Sequence, residues 1–423
     1  MRILLTSDLF HPLIGGAERQ VRLLAAELAR RGHGVMVATT LQPGLATDDV
    51  VDDVPVKRLP ALATSVPWFS GDASRRFLPP APDPRLVMGL RRLTAAWPAD
   101  VVHASGWIAY ASAAAVADGR APMVLSVRDY GHACATRNLL QRDRVLCDGP
   151  RLAKCLECAG RHYGAAKALI AVGGVRTGRP LLRRTVRGIH SVSRFVEMTV
   201  RRDLVGDDVG WEPILERIPD VVPLPPPGGP AMLRPEEQAL IDSLPTEPFI
   251  LFVGALQAHK GLSVLLRAYR RLDGGAARVP PLVLIGTRWP ETPDSFPLGV
   301  RVLSDVPHAV VMAAWERSLF GVAPSIWPDP LPGVVREAMT RGRAVVATAV
   351  GGNLDMMDDE ESGLLVPPGD VAALARAMQR LIDHPELRDR LGAAGQTSVA
   401  GLTAAVVAER FEALYARCLE DGP

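Results

Sequence analysis

No apolar run in this sequence approaches the ~18–20 residues that cross a bilayer. The longest candidate, residues 165–175, is broken by Lys167 and by Gly173-Gly174, so a membrane-spanning anchor is not expected. The opening MRILLTSDLF has one basic residue, then Asp8, and no small-residue cleavage site. It does not read as a secretory leader, and the cytoplasm is the expected compartment. Aromatic residues make up only 5% of the chain and the net charge is only +2. With no recognition module and no aromatics interleaved with basic residues, nucleic acid is not an expected partner. A Walker loop, a zinc-protease signature and a Ser-His-Asp spacing are also missing. Cysteine is scarce, at five in 423 residues. Four of the five are clustered, which makes them a question of local chemistry rather than of a disulfide framework.

What the sequence does contain is a repeated alternation of strands and helices. RILLTSD, VMVATT, DVVHAS, MVLSVRD and GIHSVS read as buried strands. AERQVRLLAAELARRG reads as a helix whose apolar face carries Val21, Leu24, Ala25 and Leu28. The pattern restarts at PFILFVG and runs through PLVLIG, VRVLS, LFGVAPS, AVVATAV and GLLVPPG, with helices between them. Such alternation predicts parallel sheets covered on both faces. Between the two runs lies VVPLPPPGGPAMLRP, whose prolines forbid a central strand or a helix interior. The expected organisation is α/β: two doubly wound, Rossmann-like domains facing a central cleft. The N-terminal domain spans residues 1–222, with a cysteine-rich insertion at about 130–165. A hinge follows at 223–235, then a C-terminal domain at 236–401. A last helix at 402–423 is expected to return to the first domain. Charge divides unevenly: residues 1–225 hold 30 Lys+Arg against 22 Asp+Glu, and the remainder 18 against 24. That division suggests halves with different partners.

The most informative segment is PSIWPDPLPGVVREAMTRGRAVVATAVGGNLD, residues 324–355. Asp329 and Glu337 are seven residues apart. Pro330 and Pro332 keep the first part non-helical, and Gly333 opens a helix that carries Glu337 about one turn inside. The free amides of Gly333, Val334 and Val335 then suit a phosphate, and the two carboxylates suit sugar hydroxyls. In VGALQAHKGLSVLLRAY, a strand ends at Gly254 and Lys260-Gly261 starts a helix. Lys260 is thereby placed to neutralise a diphosphate leaving group.

These residues resemble the Glu–seven residues–Glu signature of retaining GT-B glycosyltransferases, specifically glycosyltransferase family 4 (group 1). The resemblance covers nearly all of residues 249–400. It implies that Glu337 binds the donor ribose, Asp329 contacts the transferred sugar and Lys260 binds phosphate. Asp329 stands where Glu is commonest, and Ala255 where the family carries Arg. Gly351-Gly352 is expected to let backbone approach the nucleotide sugar. By resemblance the activity is transfer of a hexose-like sugar from a UDP-, GDP- or similar nucleotide sugar to a glycan, lipid-linked or small-molecule acceptor. The acceptor attacks on the face from which the diphosphate leaves, and no catalytic metal is required. Two alternatives remain: a sugar-nucleotide epimerase on the same fold, and a non-catalytic sugar-nucleotide-binding protein.

In the N-terminal half, Gly15-Gly16-Ala17-Glu18 resembles the family's first loop. Gly15 and Gly16 are assigned to the donor and Glu18 to the acceptor. His103, at a strand's carboxyl end, is a candidate acceptor contact. Arg128-Asp129 stands where relatives carry His-Asp, so both join the acceptor site, Asp129 with a catalytic assignment alongside Asp329, Glu337 and Lys260. A subset of the family carries similar cysteines after that segment. Cys134, Cys147, Cys155 and Cys158 are read as structural zinc ligands, unpaired buried thiols or disulfides. From Arg176 to Arg202 there are eight Arg and one acid, Glu197. That stretch is either a solvated face or a surface for peripheral contact with anionic lipid on the inner face of the membrane.

Overall fold

The computed structural model describes residues 1–13, 15–66, 70, 76–142, 145–206, 210–222, 234–273 and 279–420. Most of the Pro- and Gly-rich stretch read as a hinge lies outside them; Arg234 and Pro235 are described, and Pro235 begins the helix Pro235–Asp242. The chain forms two compact units, one of Met1–Val221 with Ala404–Pro423, the other of Val222–Thr403.

The first unit is built on β1 (Arg2–Ser7), β2 (Gly34–Thr40), β3 (Asp48–Val51), β4 (Val54–Leu59), β5 (Val101–Ser105), β6 (Met123–Val127), β9 (Val186–Ser191) and β10 (Ile214–Arg217). A small hairpin, β7 (Leu140–Gln141) with β8 (Val145–Leu146), stands apart from the main sheet. The sheet order is β10-β9-β6-β5-β1-β2-β4-β3, and every pairing is parallel except β3 with β4. The order reverses between β1 and β5, which opens a crevice at their carboxyl ends. The helix Gly16–Arg30 buries Val21, Leu24, Ala25 and Leu28 against this sheet, as its 3.6-residue pattern predicts. The C-terminal helix Ala404–Glu420 adds Val407, Phe411, Leu414 and Tyr415 to the same core.

That packing corrects the reading of His103. It is only 3% exposed, and both ring nitrogens are engaged. The chain of hydrogen bonds ends on a carbonyl, which fixes its direction. His190 Nε2 donates to the Ile218 carbonyl at 2.7 Å. Its Nδ1 therefore accepts from Ser126 Oγ at 2.7 Å, and Ser126 Oγ accepts from His103 Nε2 at 2.6 Å. His103 Nδ1 accepts from the Tyr415 hydroxyl at 2.7 Å. His103 thus joins the sheet to the C-terminal helix, with no nitrogen left for an acceptor.

The second unit holds β11 (Phe249–Val253), β12 (Leu282–Ile285), β13 (Val300–Leu303), β14 (Ser318–Ala323), β15 (Val345–Thr348) and β16 (Leu364–Val366). They are all parallel, in the order β13-β12-β11-β14-β15-β16. This is the 3-2-1-4-5-6 order of dinucleotide-binding sheets, whose ligand crevice opens between the first and fourth strands. Here those are β11 and β14, the strands that feed the Lys260 and Asp329 loops.

No single helix among the described residues is long and apolar enough to cross a membrane. The Arg176–Arg202 stretch is not one helical face. It runs through the end of the helix Ala165–Thr185, β9 and the helix Arg194–Val200. Several of its cations are engaged locally: Arg183 donates to the Leu204 and Val205 carbonyls, and Arg201 and Arg202 pair with Glu197 and Asp203.

Candidate active site

In the second unit, two loops meet at the β11/β14 switch point. Gly261 follows Lys260 at φ +80°, and a Cβ there would strike the Pro324 carbonyl. Only glycine allows this close backbone approach, and it seats the Lys260 turn on the end of β14. The Ile326 amide donates to the His259 carbonyl at 2.9 Å across the same junction. Lys260 Nζ consequently lies 2.5 Å from Asp329 Oδ2 and 4.8 Å from the Trp327 ring centroid. The ion pair and the cation–π contact fix the ammonium where β11 and β14 diverge.

Gly351 plays a matching role from the other side. Its φ is +61°, and a Cβ would meet the Asp329 carbonyl, while the Gly352 amide donates to that carbonyl at 2.8 Å. The backbone that this glycine pair approaches so closely is therefore the Asp329 loop. The helix Gly333–Thr340 begins directly after it, with Pro332 at its N-cap and no side-chain cap. Its first amides, on Gly333, Val334 and Val335, carry the helix's partial positive charge. Glu337 is buried to 8% exposure and its Oε1 lies 2.8 Å from His308 Nε2. His308 begins the helix His308–Arg317 after β13. It was not singled out in the sequence: 29 residues separate it from Glu337, and no local spacing links them. Gly254 directly follows β11, at φ +151°. Lys260, Asp329, the Gly333–Val335 amides and Glu337 thus gather at one edge of one sheet.

In the first unit, a second pocket opens at the carboxyl ends of β1, β5 and β6. Asp8, Glu18, Trp107, Arg128, Asp129, His132 and Arg137 line it. Gly15 is the N-cap of the helix Gly16–Arg30, and the Glu18 carboxylate folds back over it. Arg128 Nε donates to Asp220 Oδ1 at 3.0 Å, so its charge is largely matched. Asp129 Oδ1 accepts from the Gly131 amide at 2.7 Å and its Oδ2 is gripped by Arg137. Arg137 also reaches Asp8 at 3.3 Å and lies 5.0 Å from the Trp107 ring centroid. Burial raises the Asp8 carboxyl above its ordinary pKa, opposed by Arg137.

No zinc site is found at the clustered cysteines among the described residues. Among the described residues no group of three or more His, Cys, Asp or Glu could hold a metal ion, and all four clustered cysteines are free thiols. Cys155 packs against an apolar cluster with Ala135 and Ala168, while Cys158 Sγ accepts from the Arg142 amide at 3.4 Å. Burial pushes the Cys134 and Cys155 thiols up from their ordinary range.

Residues 234–398 match the family described as glycosyl transferases group 1, and residues 15–214 match the glycosyl transferase 4-like domain. Together the two matches span most of the chain, which belongs to the group 1, family 4 glycosyltransferases. It is similar to the 2-deoxystreptamine N-acetyl-D-glucosaminyltransferase of Streptomyces fradiae, 26% identical over 97% of this chain and 95% of the relative. It is 32% identical to the alpha-D-kanosaminyltransferase of Streptomyces kanamyceticus over 35% of this chain. It is 34% identical to the phosphatidyl-myo-inositol mannosyltransferase of Mycobacterium leprae over 39%. Those two matches span only 40% and 46% of the relatives' own lengths. Among solved structures, the sucrose-phosphate synthase of Thermosynechococcus elongatus superposes with a TM-score of 0.70 at 20% identity, covering 100% of both chains. HepE of Anabaena in complex with UDP-glucose gives 0.65 at 15%, again covering 100% of both. At those identities the likeness establishes the fold.

Proposed function

We propose that this chain transfers a sugar from a nucleotide-diphosphate sugar to an acceptor hydroxyl with retention of the anomeric configuration. The observation that carries this reading is the convergence of Lys260, Asp329, the uncapped Gly333–Val335 amides and Glu337 at the β11/β14 switch point. Glu337 accepts from the ribose hydroxyls, and His308 holds its carboxylate in place. Lys260 and the helix amides take the diphosphate, and Asp329 accepts from hydroxyls of the sugar. The acceptor oxygen bonds to the anomeric carbon on the face where the bond to the diphosphate breaks. The acceptor's proton passes to the departing phosphate oxygen. The protein contributes position and charge stabilisation, and no step needs a metal. We place the activity in the cytoplasm. Exposed Leu169 and Ile170 beside Lys167 offer a peripheral contact with anionic lipid.

The test is product analysis by NMR with an α-linked nucleotide sugar and a panel of hydroxyl acceptors. The expected result is one nucleoside diphosphate released per α-linked product. An epimerised sugar nucleotide formed without transfer would favour the epimerase instead, and a β-linked product would exclude retention.

A further inference from the structure

A cavity of about 340 Å³ opens in the first unit between the helices Leu152–Tyr163 and Ala165–Thr185. It is large enough for one small ligand. The loop after β6 divides it from the pocket at the strand ends: Gly131 and His132 line that pocket, Ala133 and Ala135 this one. Glycines set the helix Ala165–Thr185 in place. A Cβ at Gly174 would strike the Pro80 carbonyl, and one at Gly178 the Tyr110 ring. With that face pressed inward, Val172, Val175, Arg176 and Arg179 share another face by their helical spacing, and all four line the cavity. Buried Ala135 and Val172 belong to one small apolar cluster, with Cys155 packed against it. Leu152 lines the cavity too, yet is 51% exposed, which puts an apolar side chain at the rim.

The charge of the lining has one sign. Three guanidiniums line the cavity, on Arg151, Arg176 and Arg179, and no described carboxylate does. Arg151 pairs with Asp148, which Lys154 also holds. Asp203 acts on Arg179 from nearby, but both of its oxygens are gripped by Arg202. Among the described residues, Arg176 and Arg179 form no hydrogen bond and no ion pair. Burial, Arg183 and Arg176 hold the Arg179 guanidinium below its ordinary range, against Asp203 and Tyr110. Two neighbouring guanidiniums, one of them half-buried, repel each other until an anion bridges them. Their planar forks match a phosphate or a carboxylate.

We propose that this cavity binds an anionic amphiphile, its apolar body against Ala135, Leu152, Val172 and Val175 and its phosphate or carboxylate on Arg176 and Arg179. The site is separate from the donor groups of the second unit and from the pocket at the strand ends. It does not depend on the glycosyltransferase reading.

Calorimetric titration of the full chain with octyl phosphate, inorganic phosphate and octanol tests the idea. Octyl phosphate should bind at least about tenfold tighter than either of the others. The double variant Arg176→Gln/Arg179→Gln should weaken it by about tenfold or more. Leu152→Asp should weaken it as well; Leu152 opens its helix, where a carboxylate is compatible with the fold. Circular dichroism checks that both variants are folded. Octyl phosphate binding that is missing, that is no tighter than either control, or that is undiminished in either variant overturns the proposal. Where octyl phosphate binds, co-sedimentation with phosphatidylglycerol vesicles reads the source of the natural ligand. Capture that octyl phosphate displaces assigns the cavity to a membrane lipid. No capture, or capture that octyl phosphate leaves unchanged, assigns it to a soluble amphiphile.

Discussion

Lys260→Ala is expected to lower kcat/KM for sugar transfer by about 10²–10³-fold, the usual cost of removing one pre-organised charge partner of a leaving group. In the resting protein Lys260 is held by Asp329 at 2.5 Å and by the Trp327 ring. Those contacts keep the ammonium in place before the donor arrives, so little reorganisation is needed as charge develops on the diphosphate. Ala255 supplies no second cation on this loop, which makes the dependence on Lys260 stronger. Lys260→Arg keeps the charge but not the compact ammonium, and it should recover only part of the rate. Steady-state kinetics of both variants check this. A change under about fivefold in Lys260→Ala would mean that the diphosphate leaves without its help.

A second large effect is expected on stability in mild acid. Burial pushes His103 down to about 3 and His132 to about 4, and holds His190 well below its ordinary value. The unfolded chain takes up these protons near pH 6.5, while the folded chain excludes them until far lower pH. Between those values the unfolded state carries more protons, so stability falls as pH falls. Each histidine costs on the order of 1.4 kcal/mol per pH unit below about 6.5. His103 and His132 together amount to about 3 kcal/mol by pH 5.5, and His190 acts in the same direction. The relay explains why His103 and His190 resist protonation. Each already accepts at one nitrogen and donates at the other, so an added proton breaks a hydrogen bond in a dry site. Urea denaturation at pH 7.5 and 5.5 measures the difference. His132→Asn, which removes one of the three buried imidazoles, should narrow it. Equal stability at the two pH values would contradict the buried-neutral assignment.

The parallel strands could be read from sequence because burial on both faces leaves them as continuous apolar runs. β4 was missed because VPVKRL mixes Pro55, Lys57 and Arg58 into the strand. Arg58 is nonetheless buried and tied to the His11 and Ala46 carbonyls and Asp49. The Asp329–Glu337 segment and Lys260-Gly261 could be read because local turn and cap chemistry fixes their geometry. His103 was misread because its partner, Tyr415, lies 312 residues away. At that distance a strand-end histidine facing a ligand and one covered by a returning helix look alike in sequence. The His308–Glu337 pair was hidden for the same reason, since only the folded sheet brings its two members together.

The central claim is that Lys260 and the Gly333–Val335 amides hold a diphosphate while Glu337 holds its ribose. Calorimetric titration of UDP, GDP and ADP into the wild type, Lys260→Ala and Glu337→Ala tests it most directly. At least one nucleotide should bind the wild type, with its affinity falling about tenfold or more in each variant. Equal binding by all three proteins, or by none, would contradict the account.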